Sequence, residues 1–285
     1  MATYLFSCSF KFVVNTQNYL NYLIVFFYPQ IITSFSLNYC ISIKSPYLYT
    51  DDHRFNEWLA GFIDGDGHFR IDDNKPKLII ELDSQDYSLL LYIQSKIGGN
   101  INLAHGNKKA YRYTLYQRSL IIDLVNRING NIRNSIRVPQ FIRLCNFFNI
   151  PYQSPVALTF QNAWYSGFFD ADGCISGRLD SRPIIVFMVA NKYEIDLIPF
   201  MNQFKGKIMN AYTVSPSVKW QITQRTDVLN MLMYFRHSPL ISHKLTRLNL
   251  IEDFYILRDL KAYKTDSLHS QNWLNLKSRW SYDRP

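Results

Sequence analysis

Residues 58–63 and 164–169 form two apolar runs, WLAGFI and WYSGFF, broken only by small residues: Ala60 and Gly61 in the first, Ser166 and Gly167 in the second. Such a run reads as a tightly packed helix. Glycine costs about 1 kcal/mol against alanine inside a helix, so its presence points to a close approach between backbones. Both runs end in Asp-x-Asp-Gly, and Gly67 and Gly173 suit the positive-φ position that closes a helix. Asn56, just before Glu57 and Trp58, suits the N-cap. Beyond the first run, residues 68–72 alternate like a strand with one polar face, Asn74-Lys75-Pro76 makes a turn, and residues 77–82 (KLIIEL) form a second strand. A helix over 86–97 stops at Gly98 and Gly99. A hairpin pairs 101–103 with 110–117, and helices follow at 119–128 and 139–146. The order then repeats: helix 162–172, strands 174–179 and 184–190, helix 193–204, strands 207–212 and 218–224, and helices 226–235 and 244–262.

The second copy begins roughly a hundred residues after the first, too long a period for a solenoid. The expected fold is therefore α+β: two pseudo-symmetric αββαββα units in one polypeptide. The units take residues 53–150 and 160–262, joined by a linker at 151–159. Residues 263–285 are a polar, basic tail containing Trp273 and Trp280, expected either to fray or to pack on the second half. Residues 1–52 differ from the rest. Up to residue 50 their only charged side chains are Lys11 and Lys44, and they read as a poorly structured N-terminal extension. Their longest unbroken apolar piece, residues 22–28, is far short of the ~20 residues that span a bilayer, so no stable membrane insertion is expected.

The chain of 285 residues carries 31 Lys and Arg against 22 Asp and Glu, a formal charge of +9, and most of the excess lies within the repeat. A basic body suits a polyanionic partner such as nucleic acid. The four cysteines form no Cys-x-x-Cys pair, which argues against a zinc ribbon and a disulfide scaffold. His237 and His243 are read as surface or contact residues.

The aspartates carry the chemistry. A helix C-terminus has partial negative charge, so acids there are unfavourable by some tenths of a kcal/mol. If the two helices pack side by side, Asp66 and Asp172 also approach each other, which raises a pKa or demands a cation. Oxygen ligation favours a hard divalent ion, Mg²⁺ or similar.

The two segments WLAGFIDGDG and WYSGFFDADG resemble the paired motifs of a single-chain LAGLIDADG homing endonuclease, with weaker likeness over about residues 53–262. The resemblance implies a pseudo-twofold monomer straddling duplex DNA on a saddle of antiparallel sheets, with the motif helices at its centre. It implies hydrolysis of one phosphodiester per strand at a long, asymmetric target. Asp66 and Asp172 would bind Mg²⁺ (or Mn²⁺), with backbone carbonyls from Gly65 and Ala171. Asp64 and Asp170 would be structural. A basic residue near the pocket would be Lys244 in the second half. In the first half the match is looser and Arg137 is chosen. Arginine is a poor proton shuttle, so this departure puts the efficiency of one cut in doubt. Ser84 or Gln85, and Asn191 or Lys192, are candidates to orient water.

Polar and basic residues on the strands would face base edges in the major groove: Arg70, Asp72, Lys77, Arg112 and Gln117 in the first half, and Ser176, Arg178, Lys219, Gln221 and Gln224 in the second. Lys108 and Lys109 suit phosphates. Family members also act as RNA maturases; the retained Asp66 and Asp172 favour cleavage, and a maturase assisting splicing of its own group I intron, with or without cleavage, is the alternative. Such reading frames sit in organellar introns, which points to a mitochondrion, with the chloroplast as the alternative.

Overall fold

The computed structural model describes residue 49 and residues 51–104, 109–211 and 217–281. The first half runs α1 (Asp52–Asp66), β1 (Gly67–Asp72), β2 (Lys75–Asp83), α2 (Tyr87–Ile97), β3 (Asn100–Leu103), β4 (Ala110–Leu115), α3 (Arg118–Ile128) and α4 (Arg137–Phe147). The second runs α5 (Trp164–Asp172), β5 (Gly173–Arg178), β6 (Ile184–Asn191), α6 (Ile198–Phe204), β7 (Lys207–Ala211), β8 (Ser217–Ile222), α7 (Arg225–His237), α8 (Leu245–Leu248) and α9 (Ile251–Asp259). A final helix, α10, covers Ser270–Ser281. The sheets are both antiparallel and identically ordered, β1-β2-β4-β3 and β5-β6-β8-β7. The α+β architecture with an internal repeat is the one the pattern predicts.

The helices α1 and α5 pack on each other through their inner glycines. A Cβ on Gly61 would lie 2.1 Å from the Trp164 carbonyl oxygen, and one on Gly167 only 1.8 Å from that of Trp58. Each glycine thus receives the other helix's backbone. Alternate strand residues turn inward. Leu78, Ile80, Tyr113 and Leu115 build the core of one sheet, and Ile185, Phe187, Val189, Trp220 and Ile222 that of the other.

Several boundaries move. Asp51 caps α1, accepting from the His53 amide, so Asn56 lies inside the helix and is not the cap. Gly67 and Gly173 have φ −77°, in the extended region and not the left-handed one. Glycine stands there because of crowding: a Cβ on Gly67 would meet Ile63 at 2.6 Å, and one on Gly173 would meet Phe169 at 2.4 Å. The first turn falls at Asp73 and Asn74, both at positive φ, so Lys75 and Pro76 belong to β2. The long helix expected over 244–262 is two shorter ones.

Gln117 and Gln224 leave the strands. Each is the N-cap position of the following helix, α3 and α7. The tail is helical in α10, where Trp273, Leu276 and Trp280 share one buried face. The Trp273 indole donates to the Leu179 carbonyl and its ring packs 5.6 Å from Phe254, joining this helix to the second half. The N-terminal extension lies almost wholly outside the described residues. Tyr49 is an exception: it is buried, and its hydroxyl donates to the Pro239 carbonyl. Among the described residues no helix is long and apolar enough to cross a membrane.

Candidate functional site

Each tryptophan that opens a motif run reaches across to the other helix. The Trp58 indole N–H donates to Asp170 at 2.9 Å, and the Trp164 indole N–H to Asp64 at 2.8 Å. Both carboxyls are almost fully enclosed. Burial pushes Asp64 up to about 7, against hydrogen bonds from the Arg133 amide and Trp164, and it pushes Asp170 up as well. Asp170 also accepts from the Ile241 and Ser242 amides and the Ser242 hydroxyl. These first aspartates tie the two helices and their loops together and do not open to a ligand.

One turn further on, the helix ends meet. A Cβ on Gly65 would touch the Ala171 Cβ at 2.4 Å and stand 3.4 Å from the Asp172 carboxyl carbon. Asp66 and Asp172 are thus brought to one junction. Burial pushes Asp66 up to about 6, opposed by the charges of Lys244 and Arg137. Burial, reinforced by the Asp66 charge, pushes Asp172 up to about 7. The Asn191 side-chain amide donates to Asp172 Oδ2 at 3.2 Å. Of the water-orienting candidates, Asn191 is the one joined to a tip. Ser84 and Gln85 bond to Asp83, and Lys192 lies over the Tyr193 ring.

Lys244 and Arg137 occupy equivalent places. The Lys244 ammonium donates to the carbonyls of Phe169, Asp170 and Ala171, at 2.8 Å for the last. The Arg137 guanidinium donates to the Gly65 carbonyl at 3.0 Å and faces that of Ile63 at 3.4 Å. Both therefore place a cation on the free carbonyls at the negative end of a motif helix, where charge is favourable. The sequence expectation had these residues near the pocket but missed that they cap the helices.

Unexpected residues hold the loops that carry those cations. Asp86, between β2 and α2 in the first half, accepts from the His243 amide at 2.7 Å and from His243 Nδ1 at 2.8 Å. Asp196, between β6 and α6 in the second half, accepts from the Ser135 amide and hydroxyl, both at 2.7 Å. Each half's carboxylate clamps the loop carrying the other half's cation. His243 is thus a bridging residue between the halves. The sequence signal was the recurrence of an aspartate after the second strand of each unit.

The donors at the junction are two carboxyls and the adjacent carbonyls of Gly65 and Ala171, an all-oxygen set that fits a hard divalent ion. A carbonyl has two lone pairs, so accepting from Lys244 or Arg137 leaves room for a second interaction. Among the described residues no group of three or more His, Cys, Asp or Glu side chains converges.

On the outer face of the first sheet, Arg70 lies opposite Lys77, and Asp72 pairs with both, at 3.2 Å and 2.7 Å. Arg112 shares that face and pairs with Glu81. Lys109 is exposed where β4 begins, and Lys108 lies outside the described residues. On the second sheet Ser176 and Arg178 share the outer face of β5, and Lys219 and Gln221 that of β8. The structure thus groups the strand candidates on two outward faces, but not Gln117 and Gln224.

Known proteins share sequence or fold with this chain. The sequence model described as LAGLIDADG endonuclease matches residues 59–148 and 165–255, more than half of the chain and once for each motif. The "Intron-encoded RNA maturase bI4" of Saccharomyces cerevisiae is 38% identical over 274 residues, covering 93% of this chain and 42% of that protein. The "Probable intron-encoded endonuclease aI2" of Debaryomyces hansenii is 34% identical over 252 residues, covering 81% of this chain and 38% of that protein. The chain thus spans about two fifths of these two relatives. Among solved structures, the I-LtrWI LAGLIDADG homing endonuclease bound to target DNA superposes with a TM-score of 0.66 at 14% identity, over 82% of this chain and all of that one. A doubled motif, two matching sheets and two carboxyl-tipped helices meeting at one junction agree with the match on both halves: the chain belongs to the LAGLIDADG endonuclease family.

Proposed function

We propose that the protein is a site-specific double-strand DNA endonuclease that cuts with Mg²⁺ or Mn²⁺ at the junction of α1 and α5. The observation that carries this reading is the approach of Asp66 and Asp172, two half-buried carboxyls pushed up by burial beside the carbonyls of Gly65 and Ala171. A bound divalent ion lowers the pKa of an attacking water and offsets charge developing on a scissile phosphate. The chain supplies the rest. Asp66 and Asp172 would hold the ion, with the Gly65 and Ala171 carbonyls beside them. Asn191 would orient water on the second-half side. Lys244 and Arg137 would set positive charge at the helix ends, where charge develops in the transition state. Arg137 stays charged throughout and contributes field but no proton transfer.

The outward faces carrying Arg70, Asp72, Lys77, Arg112, Ser176, Arg178, Lys219 and Gln221 would lie in the major groove as a saddle, with Lys108 and Lys109 on phosphates. Gln117 and Gln224, at helix N-caps, would approach the backbone from the sheet ends. Because the halves differ, a single copy suffices for a long asymmetric site. The two relatives are named intron-encoded, and an intron of a mitochondrial gene is the proposed origin.

A second reading, RNA maturase for its own group I intron, is favoured by the 38% identical relative that bears that name. The test is incubation with the uninterrupted duplex that flanks the intron, with and without Mg²⁺. Cutting of both strands that needs the metal, and is lost in Asp66→Asn and Asp172→Asn while binding survives, is the expected outcome. Full cutting by either variant sinks the assignment. Intron RNA bound and spliced by those variants, with no DNA cut by the wild type, gives the maturase reading instead.

A further inference from the structure

The two outward sheet faces are equivalent in position and unlike in chemistry. On β2 the outward residues opposite β1 are Ile79, Lys77 and Lys75, facing His68, Arg70 and Asp72. On β6 the matching residues opposite β5 are Met188, Val186 and Ile184, facing Cys174, Ser176 and Arg178. Two lysines of the first half are thus replaced by valine and isoleucine in the second. Met188, Val186 and Ile184 are half-buried and run outward from the Asp172 end of the sheet, while Ile185, Phe187 and Val189 fill the core beneath. Cations stand beyond the two ends of the strip: Arg178 lies opposite Ile184, Lys219 lies opposite Ala190 just past Met188, and Lys207 is one strand further out on β7.

Three half-buried apolar side chains in line on an outward strand face would gain by being covered. Cations at both ends of the strip suit a polyanion and not a lipid tail. In the major groove the one apolar group on a base edge is the C5-methyl of thymine. We infer that the second-half sheet reads thymine methyl groups through Met188, Val186 and Ile184, whereas the first half reads hydrogen-bonding edges through Lys75 and Lys77. The target is then asymmetric in kind as well as in sequence, with a thymine-rich half under β6. This inference rests on the DNA-binding reading above and deepens it.

The experiment uses the full chain and duplexes recovered from a randomised library by binding, without divalent metal. Thymine is replaced by uracil, which lacks only the methyl, in one half-site at a time. Uracil in one half is expected to weaken binding about fourfold per contacted methyl, and uracil in the other to change little. Val186→Thr, nearly isosteric on an outward strand position, is expected to remove the penalty at one thymine and keep the rest. Equal penalties in both halves, no penalty in either, or an unchanged penalty in Val186→Thr overturns the inference while DNA binding stands. A library yielding no bound duplex overturns the DNA reading and this inference with it. A metal-free dimer that Val186→Lys dissociates would show instead that a second copy covers the strip, and would also overturn it.

Discussion

At the scale of single residues, the junction is a place where function and stability pull apart. Asp66 and Asp172 have folded pKa values of about 6 and about 7, above those of an unfolded chain. The folded state therefore holds more protons between pH ~4 and ~7, and stability from these groups falls as pH rises through that window. Removing one charge should relieve this. Asp66→Asn is expected to raise metal-free stability at pH 8 by on the order of 1–2 kcal/mol after allowing for solvent screening, and the gain should shrink below pH ~4. Thermal melts of both proteins in chelator test it. A destabilised Asp66→Asn would mean that its carboxylate is a structural partner like Asp64. The neighbouring Asp64 and Asp170 are held by indole and amide donors, so the same substitution there should destabilise instead.

At the scale of elements, two devices join the halves. The first is the glycine contact of α1 and α5. Gly61→Ala would push a methyl to 2.1 Å from the Trp164 carbonyl oxygen, and the helices cannot part without stretching the Trp–Asp bonds on either side. A loss of about 3 kcal/mol or more is expected, read as a lower denaturant midpoint for Gly61→Ala and Gly167→Ala alike. A neutral outcome for either would show that the interface slides.

The second device is the reciprocal clamp. Burial alone would raise the Asp86 pKa, but the hydrogen bonds and charge of His243 outweigh it and hold the carboxyl below the usual range. Its contribution is thus full above pH ~4 and is lost as pH falls through the folded value. Asp86→Asn should free the loop that carries Lys244 and slow the cut of one strand by about tenfold to a hundredfold, and Asp196→Asn should do so for the other strand through Arg137. Strand-resolved nicking separates this from general unfolding, which would slow both cuts together. The melting difference between wild type and Asp86→Asn should also close near pH 3.

At the scale of the whole molecule, a formal charge of +9 predicts salt-sensitive DNA binding, with a log–log slope near −0.9 for each phosphate neutralised. Lys109→Ala, at the exposed start of β4, should weaken binding to all sequences alike and flatten that slope by about one unit. An unchanged slope would place Lys109 away from phosphates. The repeat and the α+β run of elements in each half were legible in the sequence, because apolar periodicity and a doubled motif are local signals written twice. The helix caps and the end of the last helix were less so, since Asp51, Gln117 and Gln224 acquire their places only from where neighbouring elements stop. The helical tail was missed although Trp273, Leu276 and Trp280 share a helical face, because a polar background hid that stripe until a core existed to receive it. What no reading along the chain could supply is the traffic between halves: Trp58 on Asp170, Trp164 on Asp64, Asp86 on His243 and Asp196 on Ser135. Sequence determined two similar units. Only their packing decided which donor faces which acceptor, because such bonds join residues far apart in the chain and depend on how two surfaces meet.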